Sequence, residues 1–118
     1  MENINNEHDK IFRKILSEKT EAAKFINEHL KTKLNAEELE KYNTNYISNE
    51  LKNQEADIVY KLKDKDEFFL IEHQSKIDYE MPLRILKYQV SIIESAINDK
   101  RRRRKDYKYP LVRTIVLY

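Results

Sequence analysis

The chain has 118 residues, of which 37% are charged and 40% hydrophobic, and it contains neither glycine nor cysteine. Without cysteine, disulfides and cysteine-based metal sites are excluded. Without glycine, the P-loop and the glycine-rich dinucleotide fingerprint are excluded as well. No apolar run reaches the roughly 18 residues that cross a membrane, and the N-terminus lacks the apolar core of a signal peptide. These exclusions predict a single cytoplasmic domain over residues 1–118.

The formal net charge of +2 is unevenly distributed along the sequence. Five consecutive positive residues lie near the C-terminal end, and the rest of the chain carries a net charge of −3. These five residues are Arg101, Arg102, Arg103, Arg104 and Lys105. Such a run is most often a solvated connector, but Tyr107 and Tyr109 lie close behind it. We therefore slightly favour a segment that contacts the phosphate backbone of DNA.

Two helices are predicted in the first third of the sequence. Apolar residues recur at intervals of three and four over residues 7–30, which predicts one continuous amphipathic helix. A shorter helix is predicted over residues 36–41, with Asn35 as its N-cap and acidic residues in its first turn. Around residues 44–48 the pattern becomes extended.

A β-hairpin is predicted in the middle of the chain. Residues 55–62 and 67–74 are rich in β-branched and aromatic side chains, and the charged residues 63–66 separate them. The connection lacks the usual Asn-Gly or Asp-Gly turn, so loops of two and of four residues both remain open. Either loop length gives the same register, in which each residue of the first strand faces the residue of the second strand whose number adds with its own to 129.

A long helix and a final strand complete the predicted elements. The helix covers residues 79–99, with Pro82 in its first turn. Its apolar stripe is Leu83, Leu86, Val90, Ile93 and Ile97, widened by Ile85, Ile92 and Ala96, so we expect it to be well buried. Residues 109–118 form the strand. The element order predicts an α/β fold with a mixed sheet flanked by helices.

The predicted hairpin brings two carboxylates together. Asp57 and Glu72 have numbers that add to 129, so they face each other with Cβ atoms about 4.5–5.5 Å apart. Two such acids repel each other unless one is protonated or a cation bridges them. Mg²⁺ is the natural bridge, because it binds one or two carboxylates together with waters and phosphate oxygens. The alternative is a pair of solvent-facing acids that bind no metal.

Further polar groups share a strand face with Glu72. Because side chains alternate along a strand, Gln74 and Lys76 point the same way as Glu72. The amide can orient a metal-activated water, and the ammonium can stabilise charge that develops on a phosphate. His73 points to the opposite face, where packing against a helix is more common than ligation.

Several segments together resemble the PD-(D/E)XK nuclease superfamily, specifically its recombination-promoting nuclease branch, which is grouped with transposases. The quoted segments are Asp-Ile-Val-Tyr at 57–60, Phe-Leu-Ile-Glu-His-Gln-Ser at 69–75, Met-Pro-Leu-Arg at 81–84 and Tyr88. The opening His-Asp-Lys-Ile-Phe at 8–12 and the closing strand fit the same branch. The resemblance implies a restriction-endonuclease-like core and cleavage of DNA that depends on Mg²⁺ or Mn²⁺.

The resemblance also implies roles for individual residues. Asp57 and Glu72 would be metal ligands, together with the backbone carbonyl of His73. Gln74 stands where most of the superfamily has lysine, so either Gln74 or Lys76 would take that catalytic role. An acid of the first helix often assists in the superfamily, and Glu21 is the candidate for it.

Alternatives remain at the level of single residues and of the whole chain. Arg84 and Tyr88 form an ordinary surface pair on the helix, or they contact DNA phosphate or brace Glu72. A catalytically inactive module that binds DNA or protein on a nuclease-like fold is the main rival to the endonuclease. The resembled family continues beyond the final strand, so we expect an N-terminal catalytic part of a longer architecture. The final strand would then need a neighbour or present an open edge, and a homo-oligomer could form there or through a helix face.

Overall fold

The computed structural model describes residues 4–42, 58–74, 79–97 and 105–117, and these form an α/β domain with a four-stranded mixed sheet. The described helices are α1 (Ile4–Leu16), α2 (Lys19–Leu30) and α3 (Met81–Ala96). A 3₁₀ turn (Ala36–Glu38) leads into β1 (Leu39–Lys41), and the other strands are β2 (Ile58–Leu62), β3 (Glu67–His73) and β4 (Leu111–Leu117). Among the described helices, none is long and apolar enough to cross a membrane.

The sheet has the strand order β1-β2-β3-β4. β1 and β2 pair antiparallel, as do β2 and β3, whereas β4 runs parallel to β3. The pairs Ile58–Ile71 and Val59–Leu70 confirm the predicted register, and residues 63–66 make the connection four residues long. Asp57 itself lies outside the described residues. β4 has β3 as its neighbour on one side, and no described strand pairs with its other edge.

The sheet is covered on both faces, so β3 runs through the centre of the domain. One face carries Phe69 and Ile71, which pack with buried residues of α1 and α2. The other face carries Phe68 and Leu70, which pack with Tyr88 and Ile92 of α3 in a second cluster. A strand buried on both sides has an almost continuous apolar sequence instead of an alternating one. This accounts for the unbroken apolar run from residue 68 to residue 71.

The prediction of one continuous helix over residues 7–30 is wrong, because the helix breaks at Ser17 and Glu18. Glu18 has an extended backbone (φ −84°, ψ 123°), and α2 begins after it. The break leaves the carbonyl oxygen of Leu16 available, and the Tyr60 hydroxyl of β2 donates a hydrogen bond to it. The two shorter helices each bury apolar residues in the same cluster, with Leu16 from α1 and Ile26 from α2.

The predicted short helix over residues 36–41 is also wrong beyond its first turn. Asn35 precedes a 3₁₀ turn as predicted, but its side chain makes no capping hydrogen bond. The chain then becomes β1, in which Leu39 pairs with Leu62 and is fully buried. The pairing with β2 and the burial of Leu39 replace the helix that local propensity favours. The extended segment predicted over residues 44–48 lies outside the described residues.

The predicted long helix is present as α3, but its buried face differs from the prediction. Met81, Tyr88 and Ile92 are buried, and Tyr88 and Ile92 pack with residues of the sheet. Leu83, Leu86 and Val90 of the predicted stripe are about half exposed, at 57%, 55% and 45%. α3 carries apolar residues on both sides, so its periodicity alone cannot choose the side that meets the sheet. Contact with Phe68 and Leu70 selects the face that contains Tyr88.

The end of α2 has a backbone conformation that usually requires glycine. Lys31 follows the helix with φ 57° and ψ 37°, in the left-handed region. The next residues are held by Asn27, whose Oδ1 accepts hydrogen bonds from the Leu34 backbone N–H (2.8 Å) and the Thr32 hydroxyl (2.7 Å). These contacts impose a conformation that costs a residue with a Cβ about 1–2 kcal/mol.

We expect Lys31→Gly to raise the free energy of unfolding by about 0.5–1 kcal/mol, because glycine relieves the left-handed strain but adds entropy to the unfolded chain. Urea denaturation measures the change. Lys31→Ala is the matched control, because it removes the same side chain and keeps the Cβ. Equal stability of the glycine and alanine variants would contradict the strain at this position.

We expect Tyr60→Phe to destabilise the fold by roughly 1–3 kcal/mol at neutral pH, because the buried Leu16 carbonyl loses its donor. Burial raises the pKa of Tyr60 above its ordinary value of 10.0, and the charge of Glu18 adds to this. The unfolded chain therefore ionises first, so this stabilisation is complete below pH 10 and declines as the pH rises further. Urea unfolding should show the stability difference between wild type and variant shrinking above pH 10. A constant difference would contradict this account.

Candidate active site

The candidate site is built around a carboxylate that is buried at the end of the central strand. Glu72 is 1% exposed and lies in β3 next to the last residue of the strand. Its side chain lies on the α3 face of the sheet, after Phe68 and Leu70 in the alternation of β3. An ionised carboxylate in such a position is costly unless a cation or hydrogen-bond donors meet it. Its burial therefore requires a cation or hydrogen-bond donors beside it.

Arg84 of α3 meets this carboxylate. Its Nη2 donates to Oε1 of Glu72 at 3.0 Å, and the Arg84 side chain is 20% exposed. The same nitrogen lies 3.4 Å from Sδ of Met81. α3 starts close to the end of β3, with Pro82 in its first turn, so Arg84 is held on the rigid beginning of a helix. Of the alternatives for Arg84, the structure shows the contact that braces Glu72.

Gln74 is the second buried polar residue at this end of the sheet. It is 7% exposed, and its backbone N–H donates to the carbonyl of Leu117 in β4 at 2.7 Å. Neither its side-chain oxygen nor its side-chain nitrogen has a hydrogen-bond partner among the described residues. Strand alternation places it on the same face as Glu72. A buried amide of this kind can accept a ligand, an ion or a water.

His73 lies on the opposite face, as its place in the alternation predicts. Its ring stacks on Phe12 of α1, with the ring centroids 4.8 Å apart and the planes inclined by 28°. The imidazole therefore packs against a helix. In the predicted metal site, the ligand from this residue is the backbone carbonyl of His73 and not its ring.

The structure also describes Tyr88 and Glu21, two further predicted site residues. Tyr88 is 3% exposed and packs in the apolar cluster between α3 and the sheet. Glu21 is exposed on α2 and pairs with Lys24 at 3.7 Å. α2 packs on the face of the sheet opposite Glu72, and the assignment of Glu21 as an assisting acid stays a prediction.

Other predicted site residues lie outside the described part of the chain. These are Asp57, Lys76, Arg101, Arg102, Arg103 and Arg104. Among the described residues, no group of three or more His, Asp or Glu side chains could hold a metal ion. The described donors that fit Mg²⁺ are the Glu72 carboxylate and the Gln74 amide oxygen, both oxygen ligands of the kind this ion prefers. A complete ligand set therefore needs a residue from beyond the described ranges.

The described end of the basic run belongs to a connection at the other end of the sheet. Arg84 contacts Glu72, whereas Ser95, late in α3, contacts Tyr42, whose ring packs on Phe68. α3 therefore runs antiparallel to β3, and the chain after it returns to β4, which starts beside Glu67. Glu67 and Glu72 are five residues apart in β3, or about 17 Å. Lys105, which is exposed, lies in this returning connection.

Comparisons with known proteins identify the family of this chain. Residues 6–118 match the family described as putative transposase, YhgA-like, so the chain belongs to this family. It is also similar to the recombination-promoting nuclease RpnD of Escherichia coli O157:H7, at 25% identity over 119 aligned positions. That alignment covers 94% of this chain and 44% of the relative, so the chain spans less than half of the relative's length. No solved structure matches the chain.

The sequence alone left the role of Arg84 open. An arginine that contacts Tyr88 four residues further along the helix and an arginine that contacts Glu72 in another element have the same local sequence pattern. The informative signal is the short separation between the end of β3 and the start of α3. A helix that follows a buried strand closely and packs back on it places its first turn beside the strand end. A basic residue in that turn is therefore a natural partner for an acid at the strand end.

We expect Arg84→Met to destabilise the protein strongly, toward the lower end of about 3–5 kcal/mol, because the buried Glu72 carboxylate loses a cation at 3.0 Å. The partial exposure of Arg84 places the value at the lower end. The double variant Glu72→Leu/Arg84→Met removes both charges and should recover most of the loss. Urea denaturation of wild type and the two variants tests this. A double variant no more stable than Arg84→Met would contradict the pairing.

Proposed function

We propose that the protein is a metal-dependent DNA endonuclease that hydrolyses phosphodiester bonds in recombination or transposition, with Mg²⁺ or Mn²⁺ as its cofactor. The observation that carries this proposal is the fully buried Glu72 at the end of the central strand, beside a buried Gln74. A fold gains no stability from an acid in that position over a well-packed apolar residue. A role of Glu72 as a metal ligand would explain why an acid lies in that position.

The strand register supports Asp57 as the second acid of the proposed site. β2 and β3 pair as far as Ile58 opposite Ile71. We extend this pairing by one residue, which would put Asp57 opposite Glu72. Two carboxylates at that spacing form a binding place for a divalent cation, because the cation relieves their mutual repulsion.

We assign the remaining roles from the chemistry of each group. Asp57, Glu72 and the backbone carbonyl of His73 would hold the metal. A bound Mg²⁺ or Mn²⁺ supplies an activated water and polarises the phosphoryl group. Gln74 would orient the attacking water through its amide. Lys76, two residues further on, would stabilise charge on the phosphate.

The comparisons support a nucleic-acid substrate. The family is described as transposase-like, and the relative is named as a nuclease that promotes recombination. We take both descriptions to concern DNA. A metal-activated water would attack a phosphodiester bond of the DNA backbone. We propose that Arg101, Arg102, Arg103, Arg104 and Lys105 contact the DNA backbone. Such contacts would add affinity that depends on salt and not on DNA sequence.

A DNA-binding module without catalysis is the second candidate, and one observation favours it. The Arg84 guanidinium lies 3.0 Å from Glu72, so the buried acid already has a cation beside it. Calorimetric titration with Mn²⁺ separates the two candidates. Binding of the ion that is lost in Glu72→Gln supports the nuclease, whereas retention of DNA without any metal binding supports the module.

We expect Asp57→Ala and Glu72→Ala each to reduce plasmid nicking by roughly 10³-fold or more in Mg²⁺ or Mn²⁺. Loss of a ligand removes several kcal/mol of charge stabilisation from the transition state. Nicking is followed by conversion of supercoiled to open-circular plasmid on a gel, with EDTA as the metal-free reference.

The matched control for this assay is Glu67→Ala. Glu67 is an acid of the same strand, but it lies at the end of β3 remote from Glu72. Its substitution should leave the nicking rate unchanged. Wild-type activity in both Asp57→Ala and Glu72→Ala would sink the proposed mechanism.

A further inference from the structure

The start of α3 gathers groups that favour an anion beside the buried carboxylate. Arg84 lies in the first turns of the helix, in contact with Glu72. The N-terminal end of a helix also carries a partial positive charge. Gln74 adds a buried amide with no hydrogen-bond partner among the described residues, on the same face of the sheet. The combination is more specific than any one of these features.

Arg84 spans from the buried acid toward the surface. Glu72 is 1% exposed, whereas the Arg84 side chain is 20% exposed. A guanidinium carries five N–H donors in a flat fork, so it can hold one carboxylate oxygen and still present donors to a phosphate. Phosphate and carboxylate are the two anions that this fork binds best.

The candidate site needs a cation of its own. Lys105 belongs to the described segment that leads into β4, and β4 starts beside Glu67, about 17 Å along β3 from Glu72. Hydrolysis of a phosphodiester increases the negative charge at the phosphate being attacked. Among the described residues, Arg84 is the cation that contacts Glu72.

We propose that Arg84 binds a phosphate of the nucleic-acid backbone at the start of α3, while it holds Glu72 in position. This inference rests on the proposed function, because it names the contact through which that site receives its substrate. Gln74 lies beside the phosphate and donates its amide N–H to it. Arg84 thus acts on the substrate directly, in addition to its place in the fold.

The test is the salt dependence of DNA binding without metal. Fluorescence anisotropy in EDTA measures the affinity for a short DNA duplex over a series of salt concentrations. Glu72→Gln is compared with Glu72→Gln/Arg84→Met, because the neutral residue 72 lets the second substitution be made without leaving a buried charge. Arg84→Lys tests rescue by the conservative change, and Lys24→Met, an exposed cation on the opposite face, is the control.

We expect loss of Arg84 in the Glu72→Gln background to weaken binding roughly tenfold and to make the log–log salt slope shallower by about one unit. Arg84→Lys should keep most of the slope, and Lys24→Met should not change it. An unchanged slope on removal of Arg84, or wild-type protein that does not bind DNA in EDTA, would overturn the inference. DNA binding with the expected slopes but no plasmid nicking would support the phosphate contact and refute the proposed hydrolysis.

Discussion

The contact between Arg84 and Glu72 is the interaction on which the candidate site depends. β3 is covered by helices on both faces, so every residue near its centre is removed from water. An acid in such a strand is tolerated only with a cation close by, and the first turns of α3 provide one at 3.0 Å. The contact also joins the start of α3 to the end of β3. The fold and the site therefore share one electrostatic constraint.

Much of the sheet could be predicted from the sequence, because its signals are local. Two β-branched segments separated by four charged residues determine the hairpin, and the register follows from the turn between them. The observed pairing of Ile58 with Ile71 confirms that register. The burial of Glu72 was not visible in the same way. It depends on α3, which covers that face of the sheet from a separate part of the chain.

The features that were missed depend on contacts distant in sequence. The break between α1 and α2 is stabilised by Tyr60, 44 residues after the Leu16 carbonyl that it binds. The three residues of β1 are too few for a strand pattern, and they are recognisable only through their pairing with β2. α3 has apolar side chains on both faces, so the choice of its buried face needs the sheet.

The two ends of the sheet carry different groups, and the proposed function depends on this difference. One end holds a buried acid, an amide and a guanidinium, and the other receives the connection that contains Lys105.

The most direct test of the central claim is anomalous diffraction from a crystal grown with Mn²⁺. We predict an anomalous peak within coordination distance of the Glu72 carboxylate. A Glu72 side chain bound only by Arg84, with no peak beside it at saturating Mn²⁺, would contradict the metal site.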